Sequence, residues 1–167
     1  MIQFERLLPG PIDRVWTFLT GSKERGTWLA EGELELREGA PFTLYFFHAG
    51  LSPVKETIPE KYRKQFEGGC TLDCRVTHVD APNKLSYLWG GDSEVTFELT
   101  PQDDQVLLVL THRRLDADQM VSVASGWHTH LDILVDRASG RIPKSFWNEH
   151  TRWEAAYTAR LSSSLST

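Results

Sequence analysis

The most regular alternation of apolar and polar positions lies at 94–100, where Val95, Phe97 and Leu99 alternate with Glu94, Thr96, Glu98 and Thr100. A period of two sends one set to a core and the other to water, so this stretch predicts a half-buried strand. The same period recurs around it. Leu85, Tyr87 and Trp89 form one set, and Leu72, Cys74, Val76 and His78 share a face of a longer strand over 68–79. Residues 106–112 are apolar on both faces and predict a central strand. Asp80-Ala81-Pro82-Asn83, Gly90-Gly91-Asp92 and Pro101-Gln102-Asp103-Asp104 supply the turns between them. Upstream, 2–8 alternates as a first strand. Residues 33–37 and 41–47 flank Glu38-Gly39-Ala40 as a hairpin.

The period changes in three places. After Pro11, which suits a first helical turn, Ile12, Val15, Trp16 and Leu19 share one face. Gly21 ends that helix, and Ser22 caps a second short one over 22–28. After Asp116, Met120, Val123, Trp127, Leu131 and Leu134 recur every three or four residues and predict a long amphipathic helix stopped by Gly140. A last helix follows Pro143, with Phe146, His150, Trp153, Tyr157 and Leu161 on one stripe and Trp147 off it. Aromatic residues on two faces of that helix predict a homodimer partner. Residues 49–66 hold Pro53, Pro59 and many charges, and read as an inserted loop with one helical turn. Together these elements predict an α+β domain with an antiparallel sheet of six or seven strands under one helical layer. One domain is expected over 1–161, with the Ser-rich stretch 162–167 as a frayed tail.

Composition changes little in this picture. The chain has 167 residues, and at that length roughly 70% of the unfolded surface is buried on folding. A formal net charge of -5 argues against a nucleic-acid partner. No run reaches the roughly 18 apolar residues of a membrane span, and no leader pattern follows Met1, so a cytoplasmic location is expected. The only cysteines are Cys70 and Cys74. Four apart on a strand, their Cα atoms lie about 13 Å apart, beyond the roughly 7 Å a disulfide spans. Two reduced thiols are expected. On a helix the same spacing would suit a metal, but Thr71-Leu72-Asp73-Cys74-Arg75-Val76 alternates as a strand.

Several segments resemble a known family. Pro11-Ile12-Asp13-Arg14-Val15-Trp16, Trp28, Glu38-Gly39-Ala40-Pro41-Phe42, Val79 through Trp89, Val95 through Pro101, Leu110-Thr111-His112 and Gly126 through Leu134 occur in that order. They resemble the proteins similar to the activator of heat-shock protein 90 ATPase. These belong to the START / polyketide-cyclase / birch-pollen-allergen superfamily. The resemblance spans nearly the whole chain and implies a helix-grip fold, a curved sheet around a long helix with an apolar cavity between them. Ala40 stands where the family often has a second Gly. The chain begins at its first strand, without the N-terminal domain through which eukaryotic activators contribute to chaperone binding, so the family name alone supports a chaperone contact.

Under that fold, Trp16, Cys74, His78, Tyr87, Trp89, Phe97, Leu108, Leu110, His112, Met120, Val123 and Trp127 are the expected cavity residues. Apolar pockets and cores use the same residue types, so Trp16, Trp89, Phe97, Met120 and Trp127 suit either role. Gly126 either serves the wall or allows close approach of helix to sheet. His112 is the candidate for chemistry. At the end of a strand, on the parity of Leu108 and Leu110, it suits ligand orientation or proton transfer, or else holds the strand end. His128 and His130 diverge by about 160° on a helix, and no HExxH, CxxC, GxSxG or GxGxxG motif occurs. No metal or cofactor is expected. The functional expectation is binding of an apolar or amphipathic small molecule. A cyclase- or hydrolase-type enzyme using His112, or a chaperone-associated regulator, are the alternatives.

Overall fold

The structure, a computed structural model, describes residues 1–164. Six strands form one antiparallel sheet: β1 (Ile2–Pro9), β2 (Pro41–Phe46), β3 (Cys70–Asp80), β4 (Lys84–Trp89), β5 (Glu94–Gln102) and β6 (Gln105–Arg113). Their order is β1-β6-β5-β4-β3-β2. Successive hairpins build the run from β2 to β6, and β1 closes on β6 with Ile2 opposite His112. The first and second strands are therefore the two edges. Between them the chain crosses the molecule through α1 (Ile12–Thr20) and α2 (Ser22–Gly26). The long helix α4 (Met120–Ala138) lies across the sheet, and α5 (Phe146–Ser164) packs beside it. Among the described residues no helix is long and apolar enough to cross a membrane.

Most expected elements form for the expected reason. Val15, Trp16 and Leu19 are the buried face of α1, and Trp127, Leu131 and Leu134 that of α4. Gly140 ends α4 with φ +71, a conformation that costs a residue without Cβ little. The fifth helix runs on through Ser164, three residues into the stretch expected to fray, while 165–167 lie outside the described residues.

The stretch 33–37 is not a strand. Glu31 makes one isolated bridge to Tyr45, and Gly32 then turns away with φ +143, its α-carbon packed against the Thr43 carbonyl. The buried guanidinium of Arg25 donates to the carbonyls of Leu19 and Thr20 at the end of α1 and to those of Ala30 and Gly32, which pins the backbone just before the expected strand to the helix. Ser22 does not cap its own helix either; its hydroxyl accepts the Gly32 N–H at 2.9 Å.

The inserted loop is more ordered than its composition suggests. His48–Gly50 forms one short 3₁₀ turn, and Glu60–Phe66 forms a helix, α3. The Ser52 hydroxyl donates to the Pro143 carbonyl at 2.7 Å. The Glu56 carboxylate accepts the Trp147 and Asn148 N–H groups, placing negative charge at the start of α5. Trp147 stacks on Tyr62 and abuts Phe66 of the third helix, so its burial is explained within one chain. The second aromatic face of α5 thus does not require a partner subunit.

Candidate functional site

The insertion and α5 enclose one end of the gap between sheet and long helix. The result is a cavity of about 300 Å³. Phe46, Leu72 and Trp89 form its sheet wall, Val123, Gly126, Trp127 and His130 its α4 wall, and Tyr62 and Phe66 its α3 wall. Phe146, Trp147 and His150 complete it from α5, and His48 projects from the turn after β2. No Asp, Glu, Lys or Arg side chain lines it. At Gly126 a Cβ would meet no atom within 4 Å, so the missing side chain adds open volume and does not serve close approach to the sheet. Where the three helices meet at the rim, the Tyr62 hydroxyl donates to Glu154 at 2.8 Å and lies 3.0 Å from the Ser122 hydroxyl.

His112 stands behind this cavity, fully buried. Its hydrogen bonds can be assigned proton by proton. An indole nitrogen only donates, so Trp127 Nε1 gives its proton to His112 Nδ1 at 2.9 Å. The imidazole proton then sits on Nε2, which donates to Ser93 Oγ at 3.1 Å. Ser93 passes its own proton to the Trp89 carbonyl at 3.2 Å. Every donor and acceptor of the ring is occupied. Burial holds its pKa down to about 4. His112 therefore orients Trp127 and ties the end of β6 to the turn after β4.

Residues 9–139 match the family described as Activator of Hsp90 ATPase homolog 1-like protein. The chain belongs to this family. The solution structure of the protein encoded by gene BPP1335 from Bordetella parapertussis is 41% identical to this chain, with a TM-score of 0.82 over 95% of this chain and 85% of that one. CalU16 from Micromonospora echinospora is 22% identical, with a TM-score of 0.67 over 94% of this chain and 85% of its own. DynU16, from the dynemicin biosynthetic locus, is 18% identical with a TM-score of 0.64. The match covers 87% of this chain and half of DynU16 (50%). The last two share the fold, the helix-grip architecture of the START / polyketide-cyclase / birch-pollen-allergen superfamily. No curated protein sequence matches the chain.

In this family member the unspent polar groups of the cavity belong to His48, His130 and His150, the last with its Nδ1 buried without a hydrogen-bond partner and 3.4 Å from Glu154. His130 Nδ1 lies 2.7 Å from the Trp28 carbonyl, which only accepts, so Nδ1 carries the proton and Nε2 keeps a bare lone pair. His130 is buried, and its pKa is held down to about 4, chiefly by loss of solvent. His48 is 7% exposed and is held down to about 2 by burial, with His130 and His150 nearby adding to the effect. Its ring sits among Phe146 at 4.1 Å, Phe66 at 5.1 Å, Trp147 at 5.2 Å and Phe46 at 5.7 Å. Nδ1 of His48 is sealed without a hydrogen-bond partner. A buried polar group left in this way costs on the order of 1–3 kcal/mol.

Of the twelve expected cavity residues, Trp89, Val123 and Trp127 line the cavity. Trp16, Tyr87, Phe97, Leu108 and Leu110 are buried in the core, and Cys74 packs there while Cys70 reaches the cavity. Both thiols are free, and burial raises Cys74 to about 12. Met120 begins α4, half-buried and outside the lining. His78 points away from the core. A bulge between Val76 and His78 inserts one residue, which reverses the side-chain parity, and His78 instead meets Glu38 at 3.3 Å across exposed surface. The divergence of His128 and His130 is as expected. His128 stacks on Trp153, while His130 faces the cavity. Sequence reasoning missed His48, Tyr62, Phe66, Phe146, Trp147 and His150 as wall residues. Tyr62 and Phe66, one helical turn apart among charges, were a readable amphipathic signal. Among the described residues no group of three or more His, Cys, Asp or Glu is placed to hold a metal.

Proposed function

We propose that this chain binds a small, largely apolar, uncharged molecule in the cavity between sheet and long helix. The observation that carries this reading is His48. It is a neutral imidazole among aromatic rings, with no hydrogen bond to the protein, on the wall of a cavity of about 300 Å³. Neither ring nitrogen has a partner in the protein: Nδ1 is sealed, and a bound molecule reaching Nε2 would give the ring the one hydrogen bond still open to it. The volume sits at the lower end of small-molecule pockets and suits a bicyclic ring system. Gly126 supports the same reading, because a helix position with room for a side chain and none present favours space over stability.

Binding is favoured over acid–base catalysis by the same groups. A general base works best with a pKa near the operating pH, and His130 at about 4 is a weak one. His112, the candidate proton carrier from sequence, has no free proton or lone pair.

The test uses Gly126→Leu, which projects into the gap from a position where a Cβ meets no neighbour within 4 Å. Native mass spectrometry of protein purified from its own host should show a small-molecule adduct on the wild type and none on Gly126→Leu. The variant's thermal midpoint should equal or exceed that of the wild type, since leaving Gly gains about 0.5–1 kcal/mol in a helix interior. The same adduct on both proteins would place the ligand elsewhere and end the proposal.

A further inference from the structure

Two adjacent histidines of the cavity, His48 and His130, narrow the ligand's chemistry. Their ring centroids lie 5.4 Å apart, and no hydrogen bond joins them. On His130 the open nitrogen is an acceptor, because Nδ1–H is committed to the Trp28 carbonyl. On His48 the sealed nitrogen is Nδ1. A sealed N–H without a partner is rarer and costlier than a sealed lone pair, so the proton belongs on Nε2. Neighbouring rings thus show the cavity one donor, His48 Nε2–H, and one acceptor, His130 Nε2. Gln65, Thr71, Ser122 and His150 add polar groups to a wall that is otherwise mostly aromatic and aliphatic, and the absence of any charged side chain in the lining leaves a buried anion or cation without a counter-charge.

We infer that the site selects an uncharged planar molecule whose edge carries a hydrogen-bond acceptor beside a donor, as in a lactam or a hydroxy-carbonyl. The acceptor takes the His48 proton and the donor gives its proton to His130, while the flat face lies among Trp89, Trp127, Phe46 and Phe146. This rests on the cavity being a ligand site, and it adds a specific polar edge to that reading. The two histidines act as specificity-determining residues, and both donate or accept in their neutral forms.

Four probes of similar size separate the two levels. Carbostyril carries the lactam edge. Coumarin replaces its N–H with oxygen and keeps the carbonyl. Naphthalene has neither group, and naphthoate is an anion. Binding to the full chain is followed by calorimetry and by the amide signal of Gly126 in proton–nitrogen correlation spectra. Carbostyril should bind about tenfold tighter than coumarin, the worth of one good hydrogen bond, and naphthoate should be weakest. In His48→Phe, carbostyril should weaken about tenfold while naphthalene is unchanged. That variant loses no hydrogen bond within the protein and removes a stranded polar atom, so its thermal midpoint should equal or exceed that of the wild type.

Equal binding of carbostyril and coumarin would overturn the polar-edge inference. So would tightest binding of naphthoate, or an unchanged carbostyril affinity in His48→Phe. If naphthalene still moves the Gly126 signal in those cases, the apolar ligand site survives. If none of the four probes moves it, the site and its polar edge fall together.

Discussion

Acid should unfold this domain early, and the structure gives the size of the effect. His48, His112 and His130 are 7%, 0% and 5% exposed, and burial lowers their pKa values to about 2, 4 and 4. In the unfolded chain each titrates near its ordinary value of about 6.5. As pH falls below that value, the unfolded state takes up protons that the native state refuses. Stability is therefore full above about pH 6.5 and is lost as pH falls toward the folded-state values. At pH 5 the gap from 6.5 is about 1.5 units, or about 2 kcal/mol for each ring at 1.36 kcal/mol per unit. Three rings give about 6 kcal/mol, against a usual total of about 5–15. His150, also lowered by burial, acts in the same direction. Urea unfolding followed by near-ultraviolet circular dichroism at pH 7, 6 and 5 measures this directly. His48→Phe removes one proton from the linkage and should reduce the slope of stability against pH by about 1.4 kcal/mol per unit below pH 6. Stability at pH 5 within about 1 kcal/mol of that at pH 7 would refute the burial of these rings as neutral groups.

Two further outcomes follow from named contacts. Trp127→Phe keeps most of the ring volume but strands the His112 Nδ1 lone pair, and should cost about 1–3 kcal/mol by the same unfolding assay, against about 3–5 for Trp127→Ala. Arg25→Met keeps the aliphatic stem and removes the donors to four carbonyls, so a loss of about 3 kcal/mol or more is expected, read as a drop in thermal midpoint of roughly 6–12 °C; a drop of under about 2 °C would mean that water satisfies those carbonyls as well.

The sheet was legible where one face meets water and the other meets core. Val95, Phe97 and Leu99 are buried, and the strand they mark pairs on both sides. Legibility ended where a long-range contact overrode the local pattern. Residues 33–37 alternate like a strand, yet Arg25 and Gly32 divert the backbone there, and nothing within the segment announces it. The bulge that expels His78 is equally silent, since one inserted residue leaves both halves of the strand alternating. His112 was legible as a histidine ending β6 on the inward parity of Leu108 and Leu110, but its burial and its occupied hydrogen bonds depend on Ser93 and Trp127, which no spacing rule connects to it.

The insertion decides which histidine has chemistry to spare. Under a bare sheet and long helix, the gap would be expected beside His112 on β6, the strand next to the β1 edge. Trp127 fills that region, with Phe97 at 5.9 Å and Trp89 at 4.8 Å between ring centroids. The open volume lies toward the β2 edge, where Glu56 and Ser52 anchor the start of α5 and Tyr62 bridges to α4 and α5. His48 and His130 face it there because one follows the edge strand and the other lies three residues beyond Trp127, nearly one helical turn along the helix. A substitution that loosens the insertion without touching either ring should therefore weaken ligand binding as much as one at the cavity wall. The same substitution should leave the His112–Trp127 bond intact, which the indole N–H signal of Trp127 reports.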